Sequence, residues 1–228
     1  MEVDGMVKSV FSPVNCLVAF VMLFAAMAAN ADATTMTFTG PEGNNSGGVY
    51  TYPYNFTLNG SGNYLLMCDT FTREITTDEI WTATALNVSD LTSTSGLEFP
   101  SASVQTYLEA AYLFEEEASA FANGNSDPKG LYNWAVWDLF DPGVSANDLG
   151  AHSAEEGTVQ GYLTAVEGLA LNASQFNNVV IYTPTNTGVG GPQEFFGDPP
   201  SAVPEPTSLL LLGTGVVGIG LAAWRRKN

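Results

Sequence analysis

Residues 103–122 read SVQTYLEAAYLFEEEASAFA, and here the chain changes period. Val104, Tyr107, Leu108, Ala111 and Leu113 recur at helical spacing, and Asn123-Gly124 supplies a C-terminal stop. Before this stretch the pattern is different. Thr34–Thr39, Val49–Leu58, Asn63–Phe71 and Glu79–Leu86 are rich in Thr, Tyr, Phe and Val and are separated by Gly and Asn clusters, which predicts strands. Their short connections predict antiparallel pairing. After it, Asp127-Pro128 reads as the N-cap and first-turn proline of a helix through Phe140, closed by Asp141-Pro142-Gly143. Ser153 caps a third helix, with Glu155 and Glu156 placed to oppose its dipole, and Asn178–Thr183 returns to strand. The expected fold class is α+β: an antiparallel β-rich N-terminal half, about three helices and a returning strand.

The 228 residues hold 24 acidic and 6 basic side chains, a net charge of −18. That excludes nucleic-acid binding through a basic surface. With 45% hydrophobic residues the chain has ample core formers, so wholesale disorder is excluded as well. The charge is uneven: Asp32–Val203 has only Arg73 and Lys129 as cations and a net −19, whereas each end joins an apolar run to basic residues.

At the N-terminus, Cys16–Ala29 (CLVAFVMLFAAMAA) is uncharged, preceded by Lys8 and followed by Asn30-Ala31. Such a run is too short for a comfortable membrane span, and small residues at Ala29 and Ala31 fit a signal peptidase, so residues 1–31 are expected to be a signal peptide cleaved after Ala31. Ala33 offers a second site two residues on. Glu2 and Asp4 are foreign to a cationic leader, and translation from Met6 would restore one. Cys16 lies at the start of the apolar run, where a lipobox Cys would follow it, which argues against a lipoprotein.

At the C-terminus, Val203-Pro204-Glu205-Pro206-Thr207-Ser208 precedes the apolar run Leu209–Trp224 and the basic end Arg225-Arg226-Lys227-Asn228. A helix of that run reaches about 24 Å, just enough for a transmembrane segment, and the cations hold its end in the cytoplasm. This order of parts closely resembles the PEP-CTERM sorting signal. The resemblance implies exosortase, a membrane-embedded cysteine peptidase or transpeptidase of Gram-negative bacteria that make exopolysaccharide, as processing partner. It makes Val203, Pro204, Glu205 and Pro206 the recognition motif and Arg225, Arg226 and Lys227 the cytoplasmic retention end. A proline on each side of Glu205 favours extended backbone, which a peptidase cleft can engage. Residues 203–228 are thus the sorting tail, residues 32–183 the exported domain, and residues 184–202 a Pro/Gly linker in which Gln193-Glu194-Phe195-Phe196 lends an edge strand.

Within the exported domain, Leu65-Leu66-Met67-Cys68-Asp69 followed by Leu131-Tyr132-Asn133-Trp134-Ala135-Val136-Trp137-Asp138 resembles exported bacterial domains related to thioester-forming adhesins. In that group a strand Cys attacks the carboxamide of a helix Gln in a Gln-x-Ala-Ile-Trp pattern and ammonia leaves. Aligned on Ala135 and Trp137, the Gln position falls on Asn133, one methylene shorter. The resemblance implies Cys68 and Asn133 as a degenerate pair on a retained scaffold. The residues themselves also allow Cys68, the sole thiol after leader removal, to be a small buried hydrophobe.

Other chemistry is sparse. His152 stands alone without zinc-type spacing, and no Gly-x-Ser-x-Gly elbow occurs, so no catalytic residue, cofactor or metal is assigned and the chain reads as a non-enzyme. Glu115-Glu116-Glu117 reads as a solvated face, the spacing of Asp141, Asn147 and Asp148 matches no EF-hand, and Trp134 and Trp137 read as core. The expected function is that of a structural or adhesive component of the cell surface or exopolysaccharide matrix. The alternatives are a carbohydrate-binding module, a thioester-type adhesin or an exported hydrolase. Signal peptidase, exosortase, exopolysaccharide and, transiently, the membrane are the expected partners. N-terminal sequencing of the exported protein should read from Asp32; retention of Met1 or Met6 would contradict a cleaved leader.

Overall fold

A computed structural model describes residues 33–42, 45–124, 129–186 and 190–199. The strands are β1 (Ala33–Pro41), β2 (Asn45–Ser46), β3 (Val49–Tyr50), β4 (Tyr54–Leu58), β5 (Ser61–Cys68) and β6 (Ile80–Asn87). Then come the helices α1 (Val104–Ala122), α2 (Leu131–Phe140) and α3 (Ala154–Glu167), and finally β7 (Val180–Pro184) and β8 (Phe195–Gly197). This is the expected α+β order.

Six strands close into an antiparallel barrel in the order β1-β4-β5-β8-β7-β6, while β2 and β3 form a separate hairpin. Period-two alternation explains the interior: Thr34, Met36 and Phe38 of β1 and Tyr54, Phe56 and Leu58 of β4 point inward. Phe56 meets Phe38, Trp81 and Phe195 at ring-centroid distances of 5.3, 5.6 and 4.8 Å, so one aromatic ties four strands together. Asn59-Gly60, with φ of 53° and 73°, gives the tight β4–β5 turn its required positive-φ pair.

The expected helices are present with two corrected boundaries or environments. Ser103 and Ser153 each cap as their chemistry dictates, accepting from Thr106 N and Glu156 N at 3.0 Å. Helix α2, however, begins at Leu131 behind Gly130, not at Pro128; Asp127 and Pro128 lie outside the described residues. Gly130 takes φ 60°, and a Cβ there would stand 2.0 Å from Thr51 Oγ1, so the entry to α2 is set by contact with the β3–β4 connection. The carboxylate run is also not wholly solvated. Glu116 is exposed, but Glu117 is fully buried on the α1 face near Tyr52. A π-helical turn at Ala146–Gly150, which the sequence did not announce, follows Asp138, whose carboxylate accepts from Gly143 N, Ser145 N and Gln160 Nε2.

The expected linker strand is likewise different in place. Phe195 and Phe196 are fully buried, and β8 lies between β5 and β7 as the stave that closes the barrel, not at an edge. Two large side chains in a Gly/Pro setting supply the apolar surface that makes this closure favourable, and closure removes the open edges of β5 and β7. No helix among the described residues is long and apolar enough to cross a membrane. The signal segment with Ala29 and Ala31, the motif Val203–Pro206, the run Leu209–Trp224 and the end Arg225–Lys227 all lie outside the described residues.

Gly130→Ala should lower stability in urea denaturation by about 2 kcal/mol or more, combining positive-φ strain with the Thr51 overlap. Gly48→Ala, whose Cβ would meet nothing within 4 Å despite φ 85°, should cost only about 1 kcal/mol.

Candidate functional site

The end of β5 and the start of β8 carry the site. Cys68 pairs with Phe195, so Gln193, two residues earlier, lies on the same face as Cys68 and diagonal to it. The two side chains meet on one atom. Cys68 Sγ donates to Thr70 O at 3.1 Å, and Gln193 Nε2 donates to the same oxygen at 2.8 Å. Gln193 Nε2 also donates to Arg73 O, which fixes its carboxamide from the loop after β5.

Asn133 is brought to Cys68 by α2, but through the backbone. Its Nδ2 donates to Cys68 O at 2.7 Å and its Oδ1 accepts from Tyr52 N at 2.9 Å, with Asn133 fully buried. Both functional ends of the Asn133 amide are therefore committed to main chain, and the carboxamide that shares an acceptor with the sulfur is that of Gln193. Gln193 lies in the stretch expected to be a linker; its signal is the Gln-Glu-Phe-Phe alternation, which places Gln193 and Phe195 on one face.

Burial pushes the Cys68 thiol well above its ordinary range, and the neighbouring Asp69 adds to the rise. The Thr70 backbone and the Trp137 indole N–H oppose it. Trp137 Nε1 has no hydrogen-bond partner among the described residues. A proton thus stays on Cys68, which shields the thiol from disulfide exchange and oxidation.

Trp137 and Gln193 line a cleft of about 480 Å³ at this end of the barrel, walled by Phe38, Tyr54 and Phe71 and flanked by Tyr50 of the β2–β3 hairpin. Cys68 itself is fully buried behind that lining. Arg73, at the same cleft, donates to Pro192 O at 3.0 Å and pairs with Glu98. Among the described residues no group of three His, Cys, Asp or Glu side chains is placed to hold a metal ion.

Residues 202–227 match the family model described as the PEP-CTERM protein-sorting motif. The chain carries a PEP-CTERM sorting signal. That signal marks an exosortase substrate destined for export, and it accounts for the Pro-Glu-Pro, apolar and basic parts in their order. Among solved structures the chain is similar to the N-terminal thioester domain of fibronectin-binding protein SfbI from Streptococcus pyogenes: identity 13%, covering 72% of this chain and 91% of that one, TM-score 0.43. It is also similar to the N-terminal domain of the Streptococcus pyogenes pilus tip adhesin Cpa, at 12% identity, 75% and 95% coverage and a TM-score of 0.41. No curated protein matches the chain.

Asn133→Ala should remove the side-chain partner of both Tyr52 N and Cys68 O in the interior. Equilibrium unfolding should register a loss of about 2–4 kcal/mol, more than an exposed Asn→Ala change at Asn123.

Proposed function

We propose that this is a non-enzymatic surface protein, exported, processed by exosortase at Pro204-Glu205-Pro206, and attached to its target covalently through a Cys68–Gln193 thioester. The observation that carries the covalent step is the meeting of Cys68 Sγ and the Gln193 carboxamide on Thr70 O. In the reaction, sulfur attacks Gln193 Cδ, the C–S bond forms as the C–N bond breaks, and the thiol proton leaves with the nitrogen as ammonia. Because the thiol is protonated, the proton the departing nitrogen needs is already present on the sulfur. A nucleophile on the target then attacks the acyl carbon and returns Cys68 to the thiol, so each molecule reacts once.

The cleft beside Gln193 gives that nucleophile a route, while burial of Cys68 keeps bulk water from the sulfur. The target is a component of the Gram-negative cell surface or exopolysaccharide matrix. The strongly acidic body keeps the released domain soluble and repels anionic polymers in the absence of bridging cations. The aromatic walls of the same cleft support a second reading, reversible carbohydrate binding by stacking on sugar rings. Glycan-array binding by a Cys68→Ser variant at wild-type strength would favour that second reading.

Intact-mass spectrometry tests both parts of the primary proposal at once. The secreted form should lack residues 209–228 and weigh one ammonia less than its sequence, and both Cys68→Ser and Gln193→Ala should restore the ammonia. An unmodified mass would end the thioester, and a retained tail would end processing at the motif.

A further inference from the structure

Directly after Cys68 and Gln193 come Asp69 and Glu194, just beyond the end of β5 and just before β8, and continuation of the period-two pattern turns this second pair to the opposite face. Their main chains are joined, Asp69 N donating to Glu194 O at 3.3 Å. Both carboxyl groups are buried, Asp69 at 1% and Glu194 at 0% exposure. Two adjacent buried carboxylates cannot both carry charge without a large cost, so the pair must retain a proton.

The hydrogen bonds say where that proton belongs. Glu194 accepts from Tyr107 OH of α1 at 3.0 Å, from Glu98 N at 3.1 Å and from Thr183 Oγ1 of β7. Asp69 Oδ1 accepts from Thr70 Oγ1 at 2.9 Å, whereas Asp69 Oδ2 has no donor among the described residues. An oxygen without a donor beside a carboxylate rich in donors is what a carboxylic O–H given to that carboxylate leaves behind. Burial, then Glu194, then Glu98 all push Asp69 well above the usual carboxylate range. The remaining charged neighbour, Arg73, is paired with Glu98.

We propose that Asp69 and Glu194 are positioning residues, a single-proton clasp between β5 and β8 that holds Cys68 and Gln193 in bonding range and lets the strand ends part when the proton is lost. The clasp as a regulator of the bond rests on the thioester reading; the clasp as a lock between strands does not. With the folded carboxyl raised, the native state binds a proton the unfolded chain has lost. Stability therefore falls as pH rises from about 4 through the folded value, the reverse of an ordinary salt-bridged acid. Asp69→Asn mimics the protonated state at every pH, since its Oδ1 still accepts from Thr70 and its Nδ2 donates to Glu194.

The test measures two things on wild type and Asp69→Asn between about pH 5 and pH 9. One is the melting temperature; the other is the rate of methylamine incorporation at Gln193, normalised to unprotonated amine. In wild type the melting temperature should fall with pH, and the normalised rate should climb by up to about tenfold per pH unit while opening is limited by loss of the proton. In Asp69→Asn both curves should be flatter. Parallel curves for the two proteins in both measurements would overturn the clasp. Diverging melting curves with no methylamine adduct in either protein would uphold the clasp and overturn the thioester reading. Should Asp69→Asn fail to fold, amide exchange in wild type decides: after correction for intrinsic rates, residues 66–70 and 195–197 must lose protection with rising pH ahead of β1 and β4, and equal loss everywhere refutes the proposal.

Discussion

One buried carboxamide joins the two halves of this molecule. Asn133, on a helix, donates to the main chain of Cys68 at the end of one strand and accepts from Tyr52 just before another. Tyr52 lies just before β4 and Cys68 is the last residue of β5, so the amide bonds main chain where the β4–β5 pairing ends, and an interior polar group without a partner is costly. The amide therefore fixes how α2 lies on the barrel and where β5 stops. Trp137, one turn further along α2, is thereby brought near Cys68, and Gly130 before the helix is pressed onto Thr51. Asn133, at a position that resembles that of a reacting group, acts as a structural frame.

The barrel is completed by three residues from near the chain's end. Phe195 and Phe196 fill space on both sides of β8, against Phe56 and Tyr54 within the barrel and against Tyr107 of α1 outside it. Because β8 pairs with β5, the same apolar closure that seals the sheet brings Gln193 to Cys68 on one face and Glu194 to Asp69 on the other. Packing, chemistry and proton affinity at this seam are consequences of a single strand register. Displacing that register by one residue would exchange the two faces and separate both pairs.

Much of this was legible in the sequence, for identifiable reasons. Serine caps and helical spacing announced α1 and α3, and alternation announced β1, β4 and β5, because those signals are local. The sorting tail is legible as linear chemistry, and its match at residues 202–227 agrees with the motif, apolar run and basic end read from the residues. What escaped was whatever depends on distant contact. Gly130 as the entry to α2 is set by Thr51, the burial of Glu117 by its place on α1 facing the core, and the central position of β8 by two strands far away in sequence. The meeting of Gln193 with Cys68 at Thr70 O escaped for the same cause: helix spacing around Asn133 is visible in a line of residues, whereas the diagonal to Gln193 exists only after the barrel closes.

The most direct measurement is peptic peptide mapping, at acid pH and without reductant, of the natively purified protein. The expected result is a peptide containing Cys68 covalently joined to one containing Gln193, with Asn133 recovered unmodified. A Cys68 that is fully alkylated on denaturation, with Gln193 recovered as an intact carboxamide, would contradict it.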